Sequence, residues 1–117
     1  MFRFEKLDVW VKAINFADVM YEITSTFPAD ERFGLTSQMR RASVSVSSNF
    51  AEGSGRSSDK DFARFIEIAY SSLLECISQS HIAVKHQFMN QEDFVKLHLL
   101  ADELARMLSG LRNSLMR

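Results

Sequence analysis

Residues 40–62 read RRASVSVSSNFAEGSGRSSDKDF, and the reading given to this stretch decides the fold. From Ala42 to Ser48 small apolar residues alternate with Ser, the period of a strand. From Ser43 to Ser58 the Ser and Gly content would suit a flexible tether. Spacing on a longer scale settles the matter. Leu35, Met39, Ala42, Val46 and Phe50 recur at steps of three and four, an apolar helical stripe. Gln38, Arg41, Ser45, Ser48 and Glu52 make a parallel polar stripe, offset by about 100°. A strand over Ala42–Ser48 would have no partner strand anywhere in the chain, and a linker would not hold two stripes in register. The stretch is therefore helical over residues 35–52. Gly53 is the expected C-cap, and SGRSS is the loop. The serines are small enough to let a neighbouring helix approach, and each hydroxyl can bond back to a carbonyl one turn earlier. Their weak helix propensity leaves this helix dependent on packing.

Working outward, the rest of the chain is helical too. One Pro and four Gly in 117 residues are too few turn-formers for a sandwich or barrel. Residues 7–26 carry two apolar stripes, Leu7-Trp10-Ile14-Ala17-Tyr21 and Val9-Ala13-Phe16-Met20-Ile23. One neighbour needs only one stripe, so Trp10, Phe16 and Met20 are candidate oligomer contacts. FPADERFG breaks the chain at Pro28 and Gly34. Ser58 is a good N-cap, with Asp59 and Asp61 placed to suit the helix dipole, and the spacing predicts a helix over 59–89. Asn90 caps a fourth helix over 91–115, whose Phe94, Leu97, Ala101, Leu104, Leu108, Leu111 and Leu115 keep a coiled-coil rhythm. Short connections make sequential helices antiparallel neighbours. The fold class is all-α, an antiparallel up-down four-helix bundle in one domain spanning 1–117.

Composition narrows the chemistry. The net charge is −1 and the pI about 6.3, without the basic excess common in domains built to bind phosphate. Cys76 is the only cysteine, so there is no disulfide framework, and a reducing cytoplasm suits it. The N-terminal residues lack a signal-type apolar core, and no apolar run approaches the roughly 20 residues that span a bilayer. A soluble cytoplasmic protein with no membrane role is expected. No Glu is followed by His three residues later, the pattern of a di-iron bundle, and His81, His86 and His98 are scattered. Cys76 has no basic neighbour on its helix to activate it. GSGR lacks both the preceding strand and the Lys-Ser/Thr pair of a phosphate loop. No catalytic residue, metal site or cofactor is expected, and the chain reads as a non-enzyme.

The distinctive polar residues lie near the middle of the chain. Gln38, Arg41, Asn49, Glu52 and Glu75 are expected to form a structural network in which buried Arg and Glu satisfy each other and set helix register. A competing reading takes Arg40, Arg56, Lys60 and Arg64 as a nucleic-acid contact, Arg being suited to bidentate phosphate binding.

FEKLDVWVKA, FPADERFGLTSQMRRASVSVSSNFAEGSGRSS and DFARFIEIAYSSLLE resemble the proteins encoded in intervening sequences of bacterial 23S ribosomal RNA genes, and are similar to the accessory proteins of diversity-generating retroelements. The resemblance covers roughly residues 4–85 and is most specific at GLTSQMRRA and SNFAEGSGR. Val46-Ser47 stands where the family often has Ile-Pro, and Phe50 where it usually has Ile. The resemblance implies a helical bundle assembled as a homopentamer, which would also use the second stripe of the first helix. In the retroelement proteins, binding to nucleic acid and reverse transcriptase is attributed to a strongly basic surface, which a net charge of −1 does not supply. The expected function is a homo-oligomeric scaffold binding a protein or structured RNA. The alternative is a nucleic-acid-binding accessory factor acting with a reverse transcriptase or RNA element.

Overall fold

Four helices carry the chain: α1 (Asp8–Thr24), α2 (Leu35–Ser54), α3 (Asp59–Lys85) and α4 (Gln91–Leu115). The computed structural model describes residues 1–117, and single 3-10 turns at Arg3–Lys6 and Ala29–Glu31 precede α1 and α2. α2 packs on α1 and α3, and α4 packs on α3 and α1, while the diagonal pairs do not meet. This is the up-down ring expected of short connections, drawn out to 43 × 22 × 20 Å.

The helix starts follow side-chain chemistry. Ser58 Oγ accepts from the Asp61 N–H at 3.1 Å, and Asn90 Oδ1 accepts from the Asp93 N–H at 2.8 Å. The ends depart from the sequence reading at three places. α1 stops at Thr24 rather than at 26, because the Ser25 and Thr26 hydroxyls donate to the carbonyls of Glu22 (2.6 Å) and Ile23 (3.2 Å) and replace the next helical turn. α3 stops at Lys85 rather than 89. There the N–H of Gln87 bonds Val84 O at 3.0 Å and that of Phe88 bonds Ala83 O at 2.9 Å, a Schellman closure with Gln87 at φ 64°. No Gly or Pro marks this stop. Finally, α2 continues past Glu52 to Ser54, so Gly53 is not its cap. A Cβ on Gly53 would stand 2.4 Å from the Phe65 Cβ, so glycine is there to let α3 come close.

The core is built from one stripe per helix. Val9, Ala13, Phe16, Met20 and Ile23 of α1 meet Met39, Ala42, Val46 and Phe50 of α2. Phe62, Ile66, Ala69 and Leu73 of α3 and Leu97, Ala101, Leu104 and Leu108 of α4 complete it. The Phe50 and Phe62 rings meet edge to face at 5.5 Å. Phe16 and Met20 are therefore fully buried inside the chain, at 1% and 0% exposure, and are not oligomer contacts. They lie on the stripe that turns inward; of the other stripe Ala17 is also buried, Leu7 and Trp10 pack against the edge of the core, and only Ile14 and Tyr21 are exposed. Of the three candidates only Trp10 is partly exposed, at the edge of the core, where Phe4 packs against it with ring centroids 5.1 Å apart.

Several serines satisfy themselves within their helix. Ser43, Ser47, Ser54 and Ser80 each donate to the carbonyl three residues earlier, at 2.6–3.0 Å. That permits small polar side chains to sit against a neighbouring helix without leaving an unpaired hydroxyl.

Candidate functional site

Ser45 faces α3 differently from those serines. Its Oγ lies 2.9 Å from Ser72 Oγ, and Asn49 Nδ2 donates to both the carbonyl and the hydroxyl of Ser45 at 2.9 Å. This short polar seam is the edge of an open groove along α2 and α3, about 560 Å³ in volume. Phe33, Ser37, Gln38, Arg41 and Ser45 line it on one side, and Ser72 and Glu75 on the other. One turn below Glu75, Gln79 is buried; its Nε2 donates to Glu75 Oε2 at 3.1 Å, and its Oε1 has no partner.

Four of the five residues expected to form a buried network thus cluster here, but as a groove rather than a core. Gln38, Arg41 and Glu75 are exposed, and only Asn49 is half-buried. Glu52 is exposed as well, and no ion pair joins it to Arg41. The reason is geometric. Eleven residues separate the two on one face of a helix, a rise of about 16 Å, far beyond ion-pair reach. Sharing a stripe does not bring two side chains together. Phe33 and Ser72 were not anticipated. The signal for Phe33 was an aromatic residue inside a polar turn, ERFG; Ser72 offered none.

The candidate nucleic-acid residues are also divided. Arg40 is engaged with the end of α1: its Nε donates to Thr24 Oγ1 at 2.9 Å, Nη2 reaches Tyr21 O at 3.4 Å, and the guanidinium lies 4.6 Å from the Tyr21 ring centre. It neutralises the negative end of that helix. Sixteen residues separate it from Arg56, roughly 24 Å along α2, so Arg40 is not part of one patch with the others. Arg56 lies just before α3, Lys60 and Arg64 one turn apart on its first two turns, and Arg3 joins them at that end of the bundle. Arg56 stacks on Phe65 at 4.7 Å, and Arg3 on Phe62 at 5.2 Å.

Two other titratable groups are shifted by their surroundings. Cys76 is buried at the centre of α3, where desolvation and then the Glu75 charge push its thiol pKa up to about 12. His98 packs between Phe94 and His81, 3.2 Å from Ser80 Oγ. Desolvation and then the His81 charge lower its pKa from 6.5, against the opposing pull of Asp102. No three His, Cys, Asp or Glu side chains converge as metal ligands, and no helix is long and apolar enough to cross a membrane.

A closed four-helix topology, a hydrophobic core and a polar groove on one seam define a small helical-bundle module. The chain belongs to the 23S rRNA-intervening sequence protein family, whose model matches residues 5–110. Its fold is that of a crystal structure of a protein of unknown function from the S23 ribosomal protein family of Bacteroides thetaiotaomicron. The two share 19% identity and a TM-score of 0.79, over 89% of this chain and 97% of the other. Comparison with curated proteins finds no match.

Proposed function

We propose that this chain is a non-catalytic building block that assembles with copies of itself into a ring, as a scaffold for a protein or structured RNA. The observation that carries this reading is a pair of exposed apolar faces on different sides of the bundle. α1 presents Val11, Ile14 and Tyr21, one stripe interrupted by Asp18. The outer seam of α3 and α4 presents Leu74, 54% exposed, in a shallow groove with Tyr70, Ile77 and Ala105, and Leu99 on the flank of α4 is 65% exposed. Exposed apolar residues grouped on one face favour association. Because the two faces differ, a contact between them is heterologous, and such contacts close into rings when the rotation permits. The resemblance to the intervening-sequence proteins supports five subunits. The inert thiol of Cys76 is in keeping with a non-enzyme in a reducing cytoplasm. Light scattering on the purified chain tests the reading: several protomers are expected, and a monomer at micromolar concentration overturns it.

A second reading, a nucleic-acid accessory factor, is favoured by the grouping of Arg3, Arg56, Lys60 and Arg64 at one end. Asp59 and Asp61 lie in the same turn of α3 and oppose it. Binding to duplex DNA or structured RNA that weakens steeply with salt, and is lost in Lys60→Ala/Arg64→Ala, supports this reading; binding without a salt slope removes it.

A further inference from the structure

We propose that the α2–α3 groove binds an unpaired guanine base, held between Arg41 and Glu75 and stacked on Phe33. Every residue invoked lies within one chain, so the inference stands whether or not the protein assembles. Arg41 and Glu75 line the same groove and carry opposite charges, yet no ion pair forms between them. Arg41 has no hydrogen-bond partner, so all five of its donors are free for a ligand. Gln79 occupies Glu75 Oε2 and leaves Oε1 free. Gln79 itself, 7% exposed, is not part of the groove's lining and serves to hold Glu75 in place. At the other end Phe33 lines the groove with its ring 91% exposed, the Arg32 guanidinium lying 5.7 Å from its centre.

These groups ask for a planar ligand with two neighbouring donors on one edge and acceptors on the next. Guanine is the base with that arrangement. Its N1–H and N2–H₂ face a carboxylate, its O6 and N7 suit an Arg fork, and its ring stacks on an aromatic side chain as unpaired bases do. Adenine would set a ring acceptor against Glu75. A guanidinium, the other flat forked donor, would bring a second positive charge beside Arg41.

The test is a titration of the ¹⁵N-labelled chain with guanosine, adenosine, cytidine and uridine 5′-monophosphates, followed by amide shifts. Saturable shifts at Phe33, Ser45 and Ser72 with the guanosine nucleotide are expected, at an affinity about tenfold or more above the adenosine nucleotide. Glu75→Gln should abolish that preference and Phe33→Ala should weaken binding of every nucleotide; both side chains are exposed, so the fold is retained. No shift, equal shifts with all four, shifts elsewhere, or a preference that survives Glu75→Gln overturns the proposal. Stronger binding of free arginine than of guanosine monophosphate also overturns it, in favour of a guanidinium site. A short single strand with one central guanine separates the two sources of the base. Tighter binding than the mononucleotide points to an RNA or DNA strand, equal binding to a free nucleotide, and either supports the site.

Discussion

Gln87 is the only residue with a left-handed backbone, and it holds that conformation because the Schellman closure of α3 needs it. A residue with a Cβ adopts φ near +60° at a cost that glycine avoids. Gln87→Gly is therefore expected to stabilise the fold by about 0.5–1 kcal/mol, read as a higher urea midpoint. Gly53 presents the opposite case. The atom an alanine would strike is the Phe65 Cβ, which is tied to the backbone and cannot swing away. Gly53→Ala should cost about 1–3 kcal/mol as α2 and α3 are forced apart. An unchanged midpoint would mean that the two helices separate freely. At Arg41 and Glu52 the structure lowers the stakes. Neither is buried or paired, so alanine at either position is expected to move stability by no more than about 0.5 kcal/mol. Cys76 should resist a maleimide or disulfide reagent in the native protein at neutral pH and react on unfolding, since burial disfavours the thiolate.

At the scale of elements, the seam between α3 and α4 carries the pH dependence. Lowering of the His98 pKa below 6.5 means that the folded protein disfavours the imidazolium, chiefly through desolvation and the neighbouring His81. Above pH 6.5 the ring is neutral in both states and contributes no slope. As pH falls through 6.5 the unfolded chain takes up the proton first, so stability declines until the folded protein titrates too. The melting midpoint should fall between pH 7 and 5, and His98→Gln should flatten part of that fall. A midpoint that rises on acidification would contradict the placement of His98. Helix existence was readable from periodicity in all four cases, and two starts were readable from Ser58 and Asn90. The stops of α1 and α3 were not. Hydroxyl back-bonding at Ser25 and Thr26 and a Gln in the left-handed region leave no compositional mark of the kind Gly or Pro makes.

For the whole molecule, the decisive quantity is which apolar surface folding leaves uncovered. Assembly through the α1 face and the α3–α4 seam predicts that Ile14→Arg and Leu74→Arg each yield a smaller species by light scattering while circular dichroism is unchanged. Both residues are already exposed, so neither change opens the core. Were Phe16 or Met20 tested instead, the result would report unfolding, because each fills the bundle's own interior.

The set of helices, their order and the class of fold were already legible in the chain. Those depend on local spacing: steps of three and four residues put side chains on one face whatever surrounds them. The RRASVSVSSNF stretch shows this well, since its two stripes specify a helix against both its Ser content and its strand-like alternation. Packing had to show which of α1's two stripes fills the core, that Gly53 serves a close approach rather than a cap, and that Arg40 engages α1 while Arg41 opens onto a groove. Each of these depends on where a second helix lies. A periodic pattern gives the direction a side chain takes from its own axis, but not what stands there to meet it, and a shared stripe says nothing of the distance along it.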